Sequence, residues 1–211
     1  MTVAEIIAAA KQYTQVSGSA WFDDTDALRS VNRSYRDVYE KILDANDEYF
    51  ITEIEVPVSS LTPIRDGVYD YDLPADWYRL RRLAAVLPIG DHVFRRIEPQ
   101  DIYRTEGYRY FGNKLRVAFR SDYDTLRIEY YPKPAEYTAT TDDIDYPPQL
   151  EPLIVAYQVA MDIVKAQGGD ATPHAEEYAR LWNRFEHAST RRDNLRYPRA
   201  TNVYRSTYPG Y

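Results

Sequence analysis

Apolar residues recur at two different periods along this chain, and the change of period divides it. Near the start, Thr2-Val3-Ala4-Glu5 has the form of a capping box, in which the threonine hydroxyl and the glutamate carboxylate satisfy the first free amides of a helix. Ile6, Ile7, Ala10 and Tyr13 follow at helical spacing, and Gly18 is expected to end the element. A second helix is predicted from Asp24-Thr25-Asp26, whose acids suit the positive end of a helix dipole, through Asp44. Leu28, Val31, Tyr35, Val38, Tyr39 and Ile42 form its apolar stripe, and the Asp23, Asp24, Asp26 group reads as capping.

From about Tyr49 the period falls to two. Phe50, Thr52, Ile54, Val56 and Val58 alternate with residues of the other face, and so do Val68 to Leu73, closed by Pro74-Ala75-Asp76. Leu80 to Leu87 and Val93 to Ile97 are shorter strand candidates around Gly90-Asp91. Tyr108 to Phe111 and Leu115 to Phe119 flank Gly112-Asn113, which supplies the positive φ of a hairpin. Ser121 to Asp124 then turn the chain into Leu126 to Tyr131. Regular turn spacing of this kind predicts a small sandwich or barrel.

Helical period resumes after a stretch punctuated by Pro132, Pro134, Pro147, Pro148 and Pro152, with Asp142, Asp143 and Asp145 among them. Leu150, Leu153, Ile154, Tyr157, Val159, Ala160 and Ile163 make a broadly apolar helix that Gly168-Gly169 stops. Thr172-Pro173 is a cap followed by a first-turn proline, and Tyr178, Leu181, Trp182 and Phe185 give the face of a last helix running to about Leu195. The expected fold class is α+β: a helical bundle built from both chain ends, with an inserted small antiparallel β-sandwich or barrel module and an extended C-terminal arm. Residues 1–48 and 148–196 are expected to form one helical domain, 49–134 the β module, 135–147 an acidic, proline-containing linker and 197–211 the arm.

That arm, from Arg196 to Tyr211, has no periodicity, two prolines and a tyrosine every few residues, so it cannot build a packed face of its own. Spaced aromatics and arginines are the residue types that anchor interfaces. Arg196, Tyr197, Arg199, Tyr204, Arg205, Tyr208 and Tyr211 are therefore the candidate partner-binding residues, and the chain reads as a subunit of an assembly. Arg191 and Arg192 extend the basic character back into the last helix, where only Asp193 is a nearby acid. Nucleic-acid contact with stacking tyrosines and docking onto an acidic neighbour both fit this stretch.

Composition sharpens the picture in three places. Twenty-one tyrosines against 6 phenylalanines and 3 tryptophans favour half-wet contact surfaces, although strand propensity alone also enriches tyrosine. A formal charge of −7 argues against an ordinary nucleic-acid binder and fits a surface that nucleic acid passes without sticking. The absence of cysteine excludes disulfides, thiolate metal sites and a cysteine nucleophile. No basic leader or long apolar run is evident, so the expected site is the cytosol, or export inside something larger.

Catalytic chemistry is not apparent. His92, His174 and His187 have no second histidine at ligand spacing, and no phosphate loop, nucleophile elbow or zinc-protease motif occurs. Asp142, Asp143 and Asp145, or Asp66, Asp70 and Asp72, could offer oxygens to a hard cation, but neither run has EF-hand spacing and both read as turn chemistry. Trp77 and Tyr78 could form a carbohydrate-stacking platform; the flanking Leu73-Pro74-Ala75-Asp76 and Leu80 instead place Trp77 under a turn. No enzyme activity, cofactor or metal is expected.

Three passages resemble the head-to-tail adaptor (connector) proteins of tailed bacteriophages. Leu28 to Tyr39 looks like that family's early N-x-A-Y-R helix, with Ser34 in the alanine position. Tyr69 to Leu80 resembles the Y-x-L-P-x-D-F/W passage that opens its β module. Leu126 to Pro134, followed by Asp142 to Pro147, resembles its exit into the closing helices. The resemblance covers about 25 to 190, and the stretch after Arg196 falls outside it. It implies a structural protein of the virion neck, made in the host cytoplasm. It also implies a dodecameric ring that docks on the portal protein and tail or nozzle proteins, with neighbouring copies in contact. Genomic DNA would pass through its channel without specific binding, helices near the channel and the β module facing outward. A carbohydrate- or receptor-binding module is the alternative reading.

Overall fold

A computed structural model describes residues 1–15, 23–45, 48–102, 105–119 and 122–196, excepting the side chains of Asp24 and of residues 190–196. It is an α+β protein with helices at both ends and strands between. Contacts separate the described residues into two units, one drawn from Met1–Asp47 and Ala135–Tyr211, the other Glu48–Pro134.

In the helical unit, α1 (Val3–Tyr13) starts where local chemistry dictates. Thr2 Oγ1 accepts from the Glu5 amide at 3.2 Å, and Glu5 accepts in return from the Thr2 amide at 2.8 Å. The helix stops at Tyr13, with Gln15 at φ 54°; Gly18 lies outside the described residues. α2 (Asp24–Asp44) is capped by Asp23, whose carboxylate accepts from the Asp26 amide. α3 (Leu153–Ala166) begins after its N-cap Pro152, three residues later than Leu150. It buries Ile154, Val155, Ala156, Val159, Ala160, Met161 and Ile163, and a helix apolar nearly all round belongs at the centre. It contacts α1, α2 and α4 (Thr172–Arg196), which closes on it through Tyr178, Leu181 and Phe185.

The other unit holds two four-stranded antiparallel sheets. The first has the order β1 (Thr52–Pro57), β8 (Thr125–Pro132), β4 (Trp77–Ala85), β5 (His92–Val93). The second has the order β2 (Thr62–Arg65), β3 (Val68–Asp72), β7 (Lys114–Ala118), β6 (Gly107–Phe111). Leu83, Leu126 and Ile128 from one sheet and Leu115 and Val117 from the other enter a single apolar cluster with Trp77, Phe94 and Phe119.

Three strands differ from the sequence reading. β2 was not evident because all four of its residues are exposed, so no alternation marks it. β4 starts at Trp77, three residues before Leu80, because bulges at Tyr78 and Arg81 break its period. Val93 to Ile97 does not continue as one strand. Phe94 donates to Leu83, whereas Arg95 and Ile97 exchange hydrogen bonds with Tyr108, so the segment passes from one sheet to the other.

Candidate functional site

The family-like passages meet one another in pairs. In the helical unit, Asn32 uses both amide atoms on one residue: its Nδ2 donates to the Tyr137 carbonyl at 2.9 Å, and its Oδ1 accepts from the Tyr137 amide at 2.8 Å. One turn on, the Tyr35 hydroxyl donates to the Asp145 carbonyl at 2.8 Å, and its ring meets Tyr137 edge-on at 5.1 Å. Burial, then the neighbouring Tyr137, pushes the Tyr35 phenol far above its ordinary pKa. Ser34, between them, is fully buried, and its hydroxyl has no hydrogen-bond partner among the described residues. Segment 137–145 is thereby fastened to α2.

The strand unit has a matching junction. Asp76 accepts the Tyr130 hydroxyl at 3.2 Å, Trp77 stacks on Tyr130 at 4.9 Å, and Lys133 donates to the Ala75 carbonyl at 2.8 Å. Trp77 is only 9% exposed, so it serves this junction and offers no platform; Tyr78 beside it is exposed.

An ionic network crosses the first sheet. Arg127 reaches Glu53, Glu55 and Asp91 at 2.9–3.0 Å; Arg82 reaches Asp91 at 3.1 Å and Glu129 at 3.2 Å; Arg81 pairs with Glu129 and Glu48. Adjacent Arg81 and Arg82 reach the same carboxylate because Arg81 is the extra residue of a bulge. Five carboxylates meet three guanidiniums, so this plate retains an acidic balance. In the second sheet, Arg116 of β7 clamps Asp70 of β3 with two bonds, at 2.6 and 2.9 Å.

Aspartates weighed as cation ligands are engaged by protein groups or by turns. Asp70 holds Arg116, Asp72 pairs with Lys114 at 2.9 Å, and Asp66 occupies the β2–β3 turn. Asp142 accepts the amides of Thr138 and Ala139, Asp143 lies 3.8 Å from the N-terminal ammonium, and Asp145 accepts Tyr35 at its carbonyl. Among the described residues, no group of three or more His, Cys, Asp or Glu gathers to hold a metal. His92 stacks on Tyr123 and lies 3.5 Å from Glu106, far in sequence from His174 and His187 on α4.

Every exposed large apolar side chain among the described residues belongs to the strand unit, including Leu87, Ile89 and Val93 around the β4–β5 turn and Tyr110 and Phe111 at the β6–β7 tip. Leu87 and Val93 fall at the ends of strand candidates in the sequence, where alternation does not distinguish an exposed apolar residue from a buried one. Proline and glycine beside Ile89 are the signal that it stands on a turn. Of the candidate arm residues, Arg196 ends α4 by its backbone alone, and Tyr197, Arg199, Tyr204, Arg205, Tyr208 and Tyr211 lie outside the described residues. No helix among the described residues is long and apolar enough to cross a membrane.

No curated protein matches the chain. The family model described as SU10 adaptor protein matches residues 1–203, so the relationship extends past Arg196 into the C-terminal stretch, beyond the span the motifs delimit. It takes in both fastened junctions and every helix and strand among the described residues, and the chain accordingly belongs to the SU10 adaptor protein family, as a phage head-to-tail adaptor.

Proposed function

We propose that this adaptor is the subunit of a ring, dodecameric by analogy with other head-to-tail adaptors, that joins portal to tail and continues the DNA channel. The family match over residues 1–203 of 211 carries this reading. A closed ring requires each subunit to present one face to a different face of the next. The helical domain of residues 1–48 and 148–196 then flanks the channel. The module of 49–134 is the sandwich or barrel, and 135–147 carries the chain from it back into the helical domain. A net charge of −7 favours a lumen along which DNA slides without adhering. The chain is a virion component of the neck, made in the host cytoplasm, with a structural rather than enzymatic role.

In this reading the C-terminal stretch is an assembly arm, with Tyr197, Tyr204, Tyr208 and Tyr211 as anchors and Arg196, Arg199 and Arg205 pairing with acids on a neighbour. Such an arm adds avidity without enlarging the body. Native mass spectrometry of the chain, alone and with its portal protein, tests the proposal. A multi-copy complex formed on the portal is expected, and a monomer under both conditions would overturn it. Deletion of 197–211 is expected to preserve the fold and weaken assembly.

A further inference from the structure

The strand unit contains an open groove of about 810 Å³ whose chemistry mirrors that of the C-terminal stretch. Asp66, Asp122 and Asp124 line it, all three exposed, and none has an ion-pair partner among the described residues. This sets them apart from Asp70, Asp72 and Asp91, each of which holds an arginine or lysine. Aromatic rings complete the lining: Tyr69 stacks on Phe119 at 4.8 Å, and Tyr123 meets Phe119 edge-on at 5.5 Å. Three acids without an ion pair among the described residues, over an aromatic floor, favour a cationic, aromatic peptide over nucleic acid.

Residues 197–211 are such a peptide. They contain Arg199 and Arg205, no acid and four tyrosines. They follow directly from α4, which ends at Arg196. Fully extended, fifteen residues span roughly 50 Å, enough to leave one subunit and cross to the next. A ring of identical subunits puts the same groove on every neighbour, so each arm leaving one copy meets an acceptor on another.

We infer that the Asp66–Asp122–Asp124 groove receives residues 197–211 of an adjacent copy of this chain. The inference rests on the reading of that stretch as an assembly arm and commits it to one acceptor. Arg199 and Arg205 pair with the groove carboxylates, and arm tyrosines pack on Tyr69 and Tyr123.

A labelled peptide of residues 196–211, titrated by fluorescence anisotropy into the full-length chain carrying Arg199→Glu and Arg205→Glu, tests this directly, because the receptor's own arm then no longer competes. Saturable binding is expected, weakening on the order of tenfold as salt rises from about 50 mM to about 500 mM. Adding Asp66→Lys and Asp124→Lys to the receptor, both on exposed positions, should weaken it by at least about tenfold more, and a peptide with Arg199→Glu and Arg205→Glu should recover affinity for that reversed groove. Absence of saturable binding, or an affinity indifferent to groove reversal, would overturn the inference. Neither result involves the portal, so the mass of the portal complex still judges the ring reading separately.

Discussion

Asn32 holds Tyr137 as a neighbouring strand would, with one donor and one acceptor on the same residue's amide and carbonyl, 105 positions away in sequence. The arrangement gives the family's early helix a physical task. An irregular, acid-rich segment leaves backbone groups to be satisfied outside any helix or sheet ladder, and a side-chain amide facing it supplies a donor and an acceptor. Tyr35 adds a third bond to the same segment at Asp145, and the Tyr137 hydroxyl accepts from the Asp145 amide at 3.1 Å, closing the loop on itself. The segment is thus held by α2 together with the start of the chain, where Val3 and Ala4 donate to the Asp142 and Thr140 carbonyls and Ile144 donates to that of Met1.

Replacing Asn32 by alanine leaves the Tyr137 amide and carbonyl, both partly buried, without partners. Desolvated groups left unpaired cost about 1–3 kcal/mol each, and because these two are only partly buried they fall at the low end, so Asn32→Ala should lower stability by roughly 2–3 kcal/mol. Urea unfolding measures this. Asn32→Asp retains the acceptor and loses the donor, and should fall between alanine and the native protein.

Ser34 predicts the opposite sign. Its buried hydroxyl has no hydrogen-bond partner among the described residues. Ser34→Ala removes a desolvated polar atom from a helix interior and inserts the strongest helix former, so stability should rise by about 0.5–1.5 kcal/mol. A loss of stability in the same urea assay would show that the hydroxyl has a partner in solution.

Local chemistry made the helix starts and the Gly112-Asn113 hairpin legible: Thr2 with Glu5, Asp23 with Asp26 and the Gly112 φ of 58° all act within four residues. What escaped reading acts at long range or breaks a period. β2 shows no alternation, and only the two-residue Asp66-Gly67 turn marks it as half of a hairpin. Arg81 and Arg82 share Glu129 through a bulge that periodicity cannot register. Asp70 looks like one member of an acid run, since Arg116 lies 46 residues on. The groove was hidden likewise, because Asp122 and Asp124 read as turn residues and Tyr69 as one strand tyrosine among several. The arm residues were named from composition alone and lie outside the described residues.

Two glycines at positive φ separate strain from crowding. Gly67 (φ +69°) has the Phe119 carbonyl oxygen 2.7 Å from where a Cβ would stand, whereas Gly112 (φ +58°) has open space around it. Gly112→Ala should cost only the left-handed backbone term, about 1 kcal/mol. Gly67→Ala must also displace the Phe119 backbone, whose amide donates to the Gly67 carbonyl at 2.9 Å, and should cost about 2–4 kcal/mol. Equal thermal shifts for the two variants would contradict this crowding argument.

Tyr13 gives the fold an alkaline weakness. Its ring stacks on Tyr157 at 4.5 Å, and burial, followed by the neighbouring Tyr157, pushes the phenol up to about 12. The unfolded chain loses that proton near pH 10 while the folded chain keeps it. The contribution is therefore whole below about pH 10 and disappears as pH rises through about 12. Tyr35, shifted the same way, adds to the trend. Urea midpoints should decline across this window, and Tyr13→Phe should decline less steeply than the native protein.

Asp70 and Arg116 face each other across β3 and β7, and their side chains retain only 5% and 10% exposure. The guanidinium also lies 4.1 Å from the Phe111 ring centre, which fixes its plane. Burying two charges costs nearly what their attraction returns, so the pair matters most when one member is missing. Arg116→Ala leaves a buried carboxylate without its cation and should cost about 3–5 kcal/mol. Asp70→Leu strands the guanidinium but leaves it the Phe111 face, and should cost somewhat less. Combining Asp70→Leu with Arg116→Met replaces the pair by apolar groups of similar bulk and should recover most of the loss. The cycle then shows strong non-additivity, about 2 kcal/mol or more. If the two single losses simply added in the double variant, the pair would be two independent contacts and the buried-charge account of this strand pairing would fail.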